Sequence, residues 1–345
     1  MKAAKLYSFN DIRIEDIPIP EIGPGNALIK THACGICSGD VMPWYIEKKA
    51  PVVIGHEPTG EIVELGSSLV TRHSSLSVGD RVFTHHHAPC FKCRLCRRGD
   101  YVQCETWKNT RIIPGGISEY ILIPQINLEN DTLRLPDTLS YEDGTLIEPT
   151  ACVVKALKRV GIRRGDTVLV IGLGIMGQLN ILLARKYGAD RLIGADMIAF
   201  RLNKAKELGA DEVIDVSKDN LTDALRSLTD GIMADVVVVG PNSADAMKQG
   251  IECAGAGGKV LFFTPAKPGE RLTIEPNDLY FKDIDIVTSY SCGPTDTVDA
   301  LEIIESGIVS AEKLVTHRFP IEKTAEAFRL TAEAKDSLKS VIVFE

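Results

Sequence analysis

The sequence has no block of basic residues and no uninterrupted apolar run of membrane-spanning length. The first absence, together with a formal net charge of −8, argues against a nucleic-acid backbone as partner and favours a small-molecule ligand. The second argues against helical membrane insertion. Residues 1–22 carry acidic groups and prolines instead of an apolar leader, which points to the cytoplasm. Internal repeats and low-complexity segments are also missing. What is present, 44% hydrophobic and 25% charged residues, is the composition of a globular protein. At 345 residues the chain exceeds one ordinary core and is most simply two domains.

Residues 1 to about 139 read as short β-rich segments cut by Gly and Pro, at 2–7, 12–17, 27–33, 61–65, 81–84 and 119–123. Such spacing predicts a barrel-like β domain. A short helix is expected over 41–48, and helical periodicity over 141–160 marks the domain crossover. Beyond Gly165, apolar strands alternate with helical stretches. The run Val236-Val237-Val238-Val239 suits a strand covered on both faces, so the fold class is α/β with a doubly wound parallel sheet. The expected layout is a β-rich domain over 1–150, with a cysteine lobe at about 88–106. A dinucleotide-binding domain follows over 151–288, and 289–345 returns to the first.

Four of the nine cysteines crowd between Cys90 and Cys104. Cys90, Cys93, Cys96 and Cys104 have the spacing that closes a tetrahedral thiolate shell around a structural zinc, in a reducing compartment. Lys92, Arg94, Arg97 and Arg98 would help keep those thiols ionised. A second set, Cys37, Asp40, His56 and Glu57, reads as part of a catalytic metal site with an open position; Gly35, Gly55 and Gly60 place it on turns. Either His56 or Glu57 can ligate while the other orients. Cys34 forms a Cys-x-x-Cys with Cys37, but a small buried residue at a strand end is the better reading. The three histidines His85, His86 and His87 read as a loop, solvated at His85 and His86.

Gly172-Leu-Gly174-Ile-Met-Gly177 follows an apolar strand and opens a helix, and Asp196 ends the next strand. That context suits a dinucleotide. Glycines let backbone reach the pyrophosphate, a helix N-terminus faces its charge, and a carboxylate bonds the ribose while repelling a 2′-phosphate. NAD is therefore expected over NADP. Gly172, Gly174, Ile175, Met176, Gly177, Asp196 and Arg201 are the candidate cofactor residues.

Together these residues resemble the zinc-dependent medium-chain alcohol dehydrogenases over nearly the whole length, adding Gly116-Ile-Ser-Glu119-Tyr120. The closer likeness is to the polyol (sorbitol) and threonine dehydrogenase branch, because Glu57 follows the histidine and Glu148-Pro149 stands where that branch has a carboxylate near the metal. The resemblance implies a GroES-like β domain, a Rossmann domain, a homodimer or homotetramer, and two zinc ions per chain. Cys37 and His56 would ligate the catalytic zinc, with Glu57 and Glu148 as ligands or close partners. It further implies oxidation of a secondary alcohol of a polyol, cyclitol or sugar to the ketone, by hydride transfer to NAD in a cleft between domains. A threonine-type amino alcohol is the alternative substrate.

Two positions depart from the family pattern: Gly39 and Met42 stand where it usually has Ser or Thr and often His on the proton path. Ser38, His87, or Glu57 through water are the candidate replacements. The same departures favour a second alternative, a zinc-stabilised dinucleotide-binding protein without turnover. Trp44, Tyr45, Trp107, Ser289 and Tyr290 line the pocket by position in the resemblance alone.

Overall fold

Nearly every residue from Ala27 to Gly35 is buried, and the strand they form sits inside a sheet rather than at its edge. In the computed structural model, which describes residues 1–67 and 76–345, this strand belongs to a unit made of Met1–Ala151 and Cys292–Glu345. Its sheet runs in the order Val315–Pro320, Lys339–Val343, Ala27–Gly35, Glu57–Leu65, Arg81–Thr84 and Thr132–Arg134, with Tyr120–Ile123 also paired to Ala27–Gly35. A smaller antiparallel sheet joins Asp11–Asp16, Lys2–Ser8 and Val52–Val53. The register matters for the site: Gly35 stands opposite Glu57 on one side and Val341 on the other. Residues directly opposite share a face, and so do residues two apart. Glu57, Gly35, Val341 and Lys339 therefore form one row.

The second unit is Cys152–Ser291. Its six strands are all parallel, in the order Glu212–Asp215, Arg191–Asp196, Thr167–Ile171, Ala234–Val239, Ala254–Phe262 and Asp285–Thr288. That is the doubly wound order expected from strands alternating with helices. Val236 to Val239 are all buried, as the unbroken valine run required, and each contributes roughly 1.5–3 kcal/mol of burial.

The helical stretch expected over 141–160 is two helices, Tyr141–Gly144 and Ile147–Val160. Ser140 caps the first through a reciprocal capping box with Asp143. Pro149 fits only the first turn of the second, so the second helix must begin just before it. The expected helix over 41–48 is also shorter, an α-turn Pro43–Ile46 continued as a 3-10 turn Glu47–Lys49. No helix among the described residues is long and apolar enough to cross a membrane.

Candidate active site and metal centres

Cys90, Cys93, Cys96 and Cys104 converge. Their Sγ separations are 3.5 Å for Cys93–Cys96, 3.6 Å for Cys90–Cys104 and 3.9 Å for Cys90–Cys96. Four sulfurs at Zn–S lengths of about 2.3 Å in a tetrahedron stand about 3.8 Å apart, so the donor set fits zinc with no position left over. The basic side chains are not what ionises it: Lys92, Arg94, Arg97 and Arg98 are exposed. Backbone donors do that work, Lys92 N–H and Cys93 N–H both reaching Cys90 Sγ at 3.4 Å. Burial pushes the Cys104 thiol up, but the backbone N–H donors around it outweigh that and bring it down to about 6, while burial drives Cys96 to about 12. The lobe's own apolar core is little more than Cys96, Val102, Cys104 and Trp107, too small to order the segment by itself.

In the first unit, Cys37, His56 and Glu57 bring one ligand atom each to within 4.8 Å of the others. Cys37 lies just past the end of Ala27–Gly35, and Glu57 begins the strand paired beside it, so sheet register brings the two together. His56 Nδ1 stands 3.0 Å from Asp40 Oδ2, which fixes the ring and leaves Nε2 as the ligating atom. Burial lowers the His56 imidazolium, yet Asp40 and the Cys37 thiolate together hold it well above the ordinary value. Gly39 N–H donates to Cys37 Sγ at 3.3 Å. Glu57 Oε1 is buried and has no hydrogen-bond partner, an orphaned acceptor beside a thiolate and an imidazole. A divalent zinc fits this donor set and would satisfy that oxygen.

Glu57 Oε2 contacts the Lys339 ammonium, and both side chains are almost wholly buried. Lys339 Nζ also donates to the Ile36 carbonyl at 3.0 Å. Burial pulls the ammonium down, and the Glu57 carboxylate and Cys37 thiolate outweigh it and raise it. Gly35 makes the room: a Cβ there would lie 2.1 Å from Glu57 Oε2 and 2.8 Å from Lys339 Cε. Lys339 is not among the candidate residues of the sequence analysis. A lysine at the mouth of an apolar strand was the available signal.

The histidine loop departs from the expectation. His85 is buried, not solvated; its Nδ1 lies 2.7 Å from the His87 carbonyl oxygen and 3.0 Å from Asp131 Oδ2. The His86 ring centroid is 6.2 Å from that of His56, and burial holds its imidazolium well below the ordinary value. His87 packs against Trp107 with ring centroids 4.0 Å apart and planes tilted by 30°, and burial pushes it down to about 3. Trp107 is thus a core residue of the cysteine lobe. Trp44 and Tyr45 are half-buried in the turn Pro43–Ile46, Ser38 is half-buried beside Cys37, and Tyr290 is exposed. Cys34 is buried, and burial drives its thiol to about 12, which fits an inert packing residue. Glu148 groups with His85 and Cys292, while standing near enough to Glu57 for the two carboxylates to repel.

In the second unit, Gly172 adopts φ +83° at the end of its strand, and a Cβ on Gly177 would lie 2.0 Å from the Gly172 carbonyl oxygen. Glycine is required at both places. Gly174 caps the helix Ile175–Ala184 with no side chain over its first amides, which leaves them open to an anion. The Arg201 guanidinium flanks this turn, 3.7 Å from Asp196 Oδ2. Asp196 accepts backbone N–H groups of Leu173 (2.7 Å), Met197 (2.7 Å) and Ile198 (3.0 Å), so it braces the glycine turn as well as ending its strand. The cradle fits a dinucleotide pyrophosphate.

Residues 23–137 match the model of the alcohol dehydrogenase GroES-like domain, and residues 176–306 match that of the zinc-binding dehydrogenases. The chain is 33% identical to a sorbitol dehydrogenase of Bombyx mori, across 99% of this chain and 97% of that protein. It superposes with a TM-score of 0.86, at 28% identity and over 100% and 99% of the two chains, on 2R,3R-butanediol dehydrogenase from Bacillus subtilis. A zinc-binding dehydrogenase from Sinorhizobium meliloti 1021 bound to NADP gives a TM-score of 0.87 at 28% identity, over 99% of each chain. With its GroES-like unit, its parallel-sheet unit and its converging ligand clusters, the chain belongs to the zinc-dependent medium-chain alcohol dehydrogenases, in their polyol branch.

Proposed function

We propose that this enzyme oxidises a secondary alcohol of a polyol, cyclitol or sugar to the ketone with NAD as acceptor, using zinc held by Cys37, His56 and Glu57. The observation that carries the reading is that cluster, with Asp40 behind His56 and one carboxylate oxygen of Glu57 unpartnered. Zinc bound there supplies Lewis-acid chemistry toward an alcohol oxygen, and NAD supplies the hydride acceptor. The protein's residues prepare the site: Asp40 sets the His56 tautomer, Gly39 N–H supports the Cys37 thiolate, and Lys339 balances Glu57. Of the three groups considered for the proton, His87 is the poorest, because an imidazole held down to about 3 is not a base at neutral pH. Glu57 has one oxygen committed to Lys339 and the other to the proposed zinc, which leaves Ser38 as the candidate of the three.

The test is NAD reduction by zinc-loaded protein against a panel of polyols, cyclitols, sugars, diols and threonine. Turnover on one polyhydroxylated class is expected; turnover on threonine alone would replace the substrate assignment with an amino alcohol.

For the cofactor we favour NAD, because a carboxylate at the end of the strand Arg191–Asp196 would repel a 2′-phosphate. Asp196→Asn should weaken NAD binding by roughly 1.5–3 kcal/mol, the range of a hydrogen bond to a charged group, because an amide cannot accept from all three N–H donors. Fluorescence titration with NADH measures it, and an unchanged Kd would remove Asp196 from the site.

We also propose a homodimer or homotetramer. The strand Asp285–Thr288 is the edge of its sheet, and Tyr280 and Phe281 beside it are 79% and 77% exposed. Light scattering should give a multiple of 37.6 kDa that Tyr280→Arg with Phe281→Glu lowers; a monomer before substitution contradicts it.

A further inference from the structure

The helix that follows the glycine turn, Ile175–Ala184, buries eight of its ten residues, and two of those eight are polar, Gln178 and Asn180. Asn180 spends its amide inside the helix, donating to the Met176 carbonyl at 2.8 Å. Gln178, wholly buried, sends its amide out of the helix: Nε2 donates to the Leu173 carbonyl at 2.9 Å and to the Arg201 carbonyl at 2.9 Å. Two carbonyl acceptors fix which end of the amide is nitrogen. One bond spans 5 positions of sequence and the other 23. The other end, Oε1, is buried with no hydrogen-bond partner among the described residues. An apolar side chain would avoid that cost, so the use of the amide lies in the two bonds it donates.

Both acceptors belong to the cofactor cradle. Leu173 is the middle residue of the turn Gly172-Leu173-Gly174. Its N–H is held by Asp196 Oδ2 at 2.7 Å, and its side chain is buried against Gly194, where a Cβ would lie 3.0 Å from Leu173 Cδ1. Arg201 lies in the helix Ala199–Glu207, with its guanidinium beside Asp196 and 3.8 Å from the place a Cβ would take on Gly174. Gln178, Leu173, Asp196 and Arg201 therefore close a ring, in which the carboxylate holds one end of the Leu173 peptide and the amide holds the other. Without Gln178 the ring is open at both carbonyls.

We propose that Gln178 is a positioning residue of the dinucleotide site: it sets the glycine turn and Arg201 in one fixed relation, so that the pyrophosphate and adenosine half of the cofactor meets a cradle already formed. The inference rests on reading that cradle as the cofactor site. A preformed cradle spares the ligand the entropy of ordering it. Gln178 is shielded from any ligand and acts through the backbone it holds.

Gln178→Met keeps the volume and loses both bonds; Gln178→Glu keeps the shape and loses both while ionised. The probe is ADP-ribose, which carries the pyrophosphate and the adenosine half without nicotinamide, titrated by calorimetry into the full chain. Its Kd should rise about tenfold in Gln178→Met, the factor that one to two net hydrogen bonds supply. Gln178→Glu should lose as much at high pH and, relative to the parent, regain part of it as pH falls, because a protonated carboxyl donates to one of the two carbonyls. Gln178→Met should show no such recovery. A residue that only filled the core would lower the urea midpoint and leave the affinity of the folded chain unchanged. An unchanged Kd in Gln178→Met, or the same pH response in both variants, overturns the role. A parent chain that does not bind ADP-ribose removes the cofactor reading itself, and this inference with it. Should neither variant fold, hydrogen-exchange mass spectrometry of the unsubstituted chain decides. ADP-ribose should slow exchange in residues 173–178 and 199–207 together, and slowing confined to the first segment overturns the coupling.

Discussion

Lys339→Met should destabilise the protein by about 3–5 kcal/mol at neutral pH, the range for removing one partner of a buried ion pair. The pair is almost entirely shielded from water, at 1% and 0% side-chain exposure, so the Glu57 carboxylate left behind cannot recruit solvent. Burial and the nearby Glu148 carboxylate both raise Glu57, and removing the ammonium removes the larger of the two groups that oppose them, leaving His56. An acid whose folded pKa is raised binds its proton more tightly folded than unfolded. The variant's stability relative to the parent is therefore best below the unfolded carboxyl pKa, about 4.3, and is lost as pH rises through the raised folded value. Glu57→Gln combined with Lys339→Met should recover much of the loss, since neither member of the pair then leaves its partner's charge unbalanced. Urea unfolding at two pH values measures all of this. A neutral-pH change under 1 kcal/mol, or no recovery in the double variant, would mean that the pair is not the buried charge balance the geometry implies.

Cys37→Ser should lower kcat by about 10³-fold or more, the several kcal/mol that a Lewis acid contributes, and should remove one zinc per chain. The thiolate is one of three converging ligands, and a serine hydroxyl is a far weaker donor at neutral pH. Cys34→Ser is the control. Cys34 lies three residues away with a thiol driven to about 12, and its substitution should leave the metal count and kcat in place. Equal losses in both variants would point to a packing effect and away from ligation.

Much of this was legible in the sequence because its signals are local. The four-cysteine spacing, the glycine turn before a helix and the valine run each lie within a few residues, and the backbone geometry they require is set there. What was not legible is what sheet register assembles. Lys339 meets Glu57 only because Gly35 stands opposite both Glu57 and Val341, across 282 positions of sequence. Cys292 meets His85 across 207, and a single cysteine before Gly293-Pro294 carries no pattern of its own. The His85–His87 run misled for the same reason. Three polar residues in a row suggest a loop in water, and only the placement of Asp131 and Asn127 around His85 makes its burial affordable. Asp196 was read for its ribose contact, while its bonds to three backbone amides depend on how the next turn closes.

The central claim is hydride transfer from a secondary carbinol carbon to NAD, and isotope transfer tests it most directly. A polyol from the active class, deuterated only at its secondary carbinol carbons, is incubated with NAD and the zinc-loaded enzyme, and both products are examined by mass spectrometry. The expected result is deuterated NADH and a ketone that has lost one deuterium, with neither product formed by Cys37→Ser. Unlabelled NADH with an aldehyde product would place the oxidation at a primary carbon, and NAD binding without transfer to any polyol would contradict the dehydrogenase assignment of the Cys37 centre.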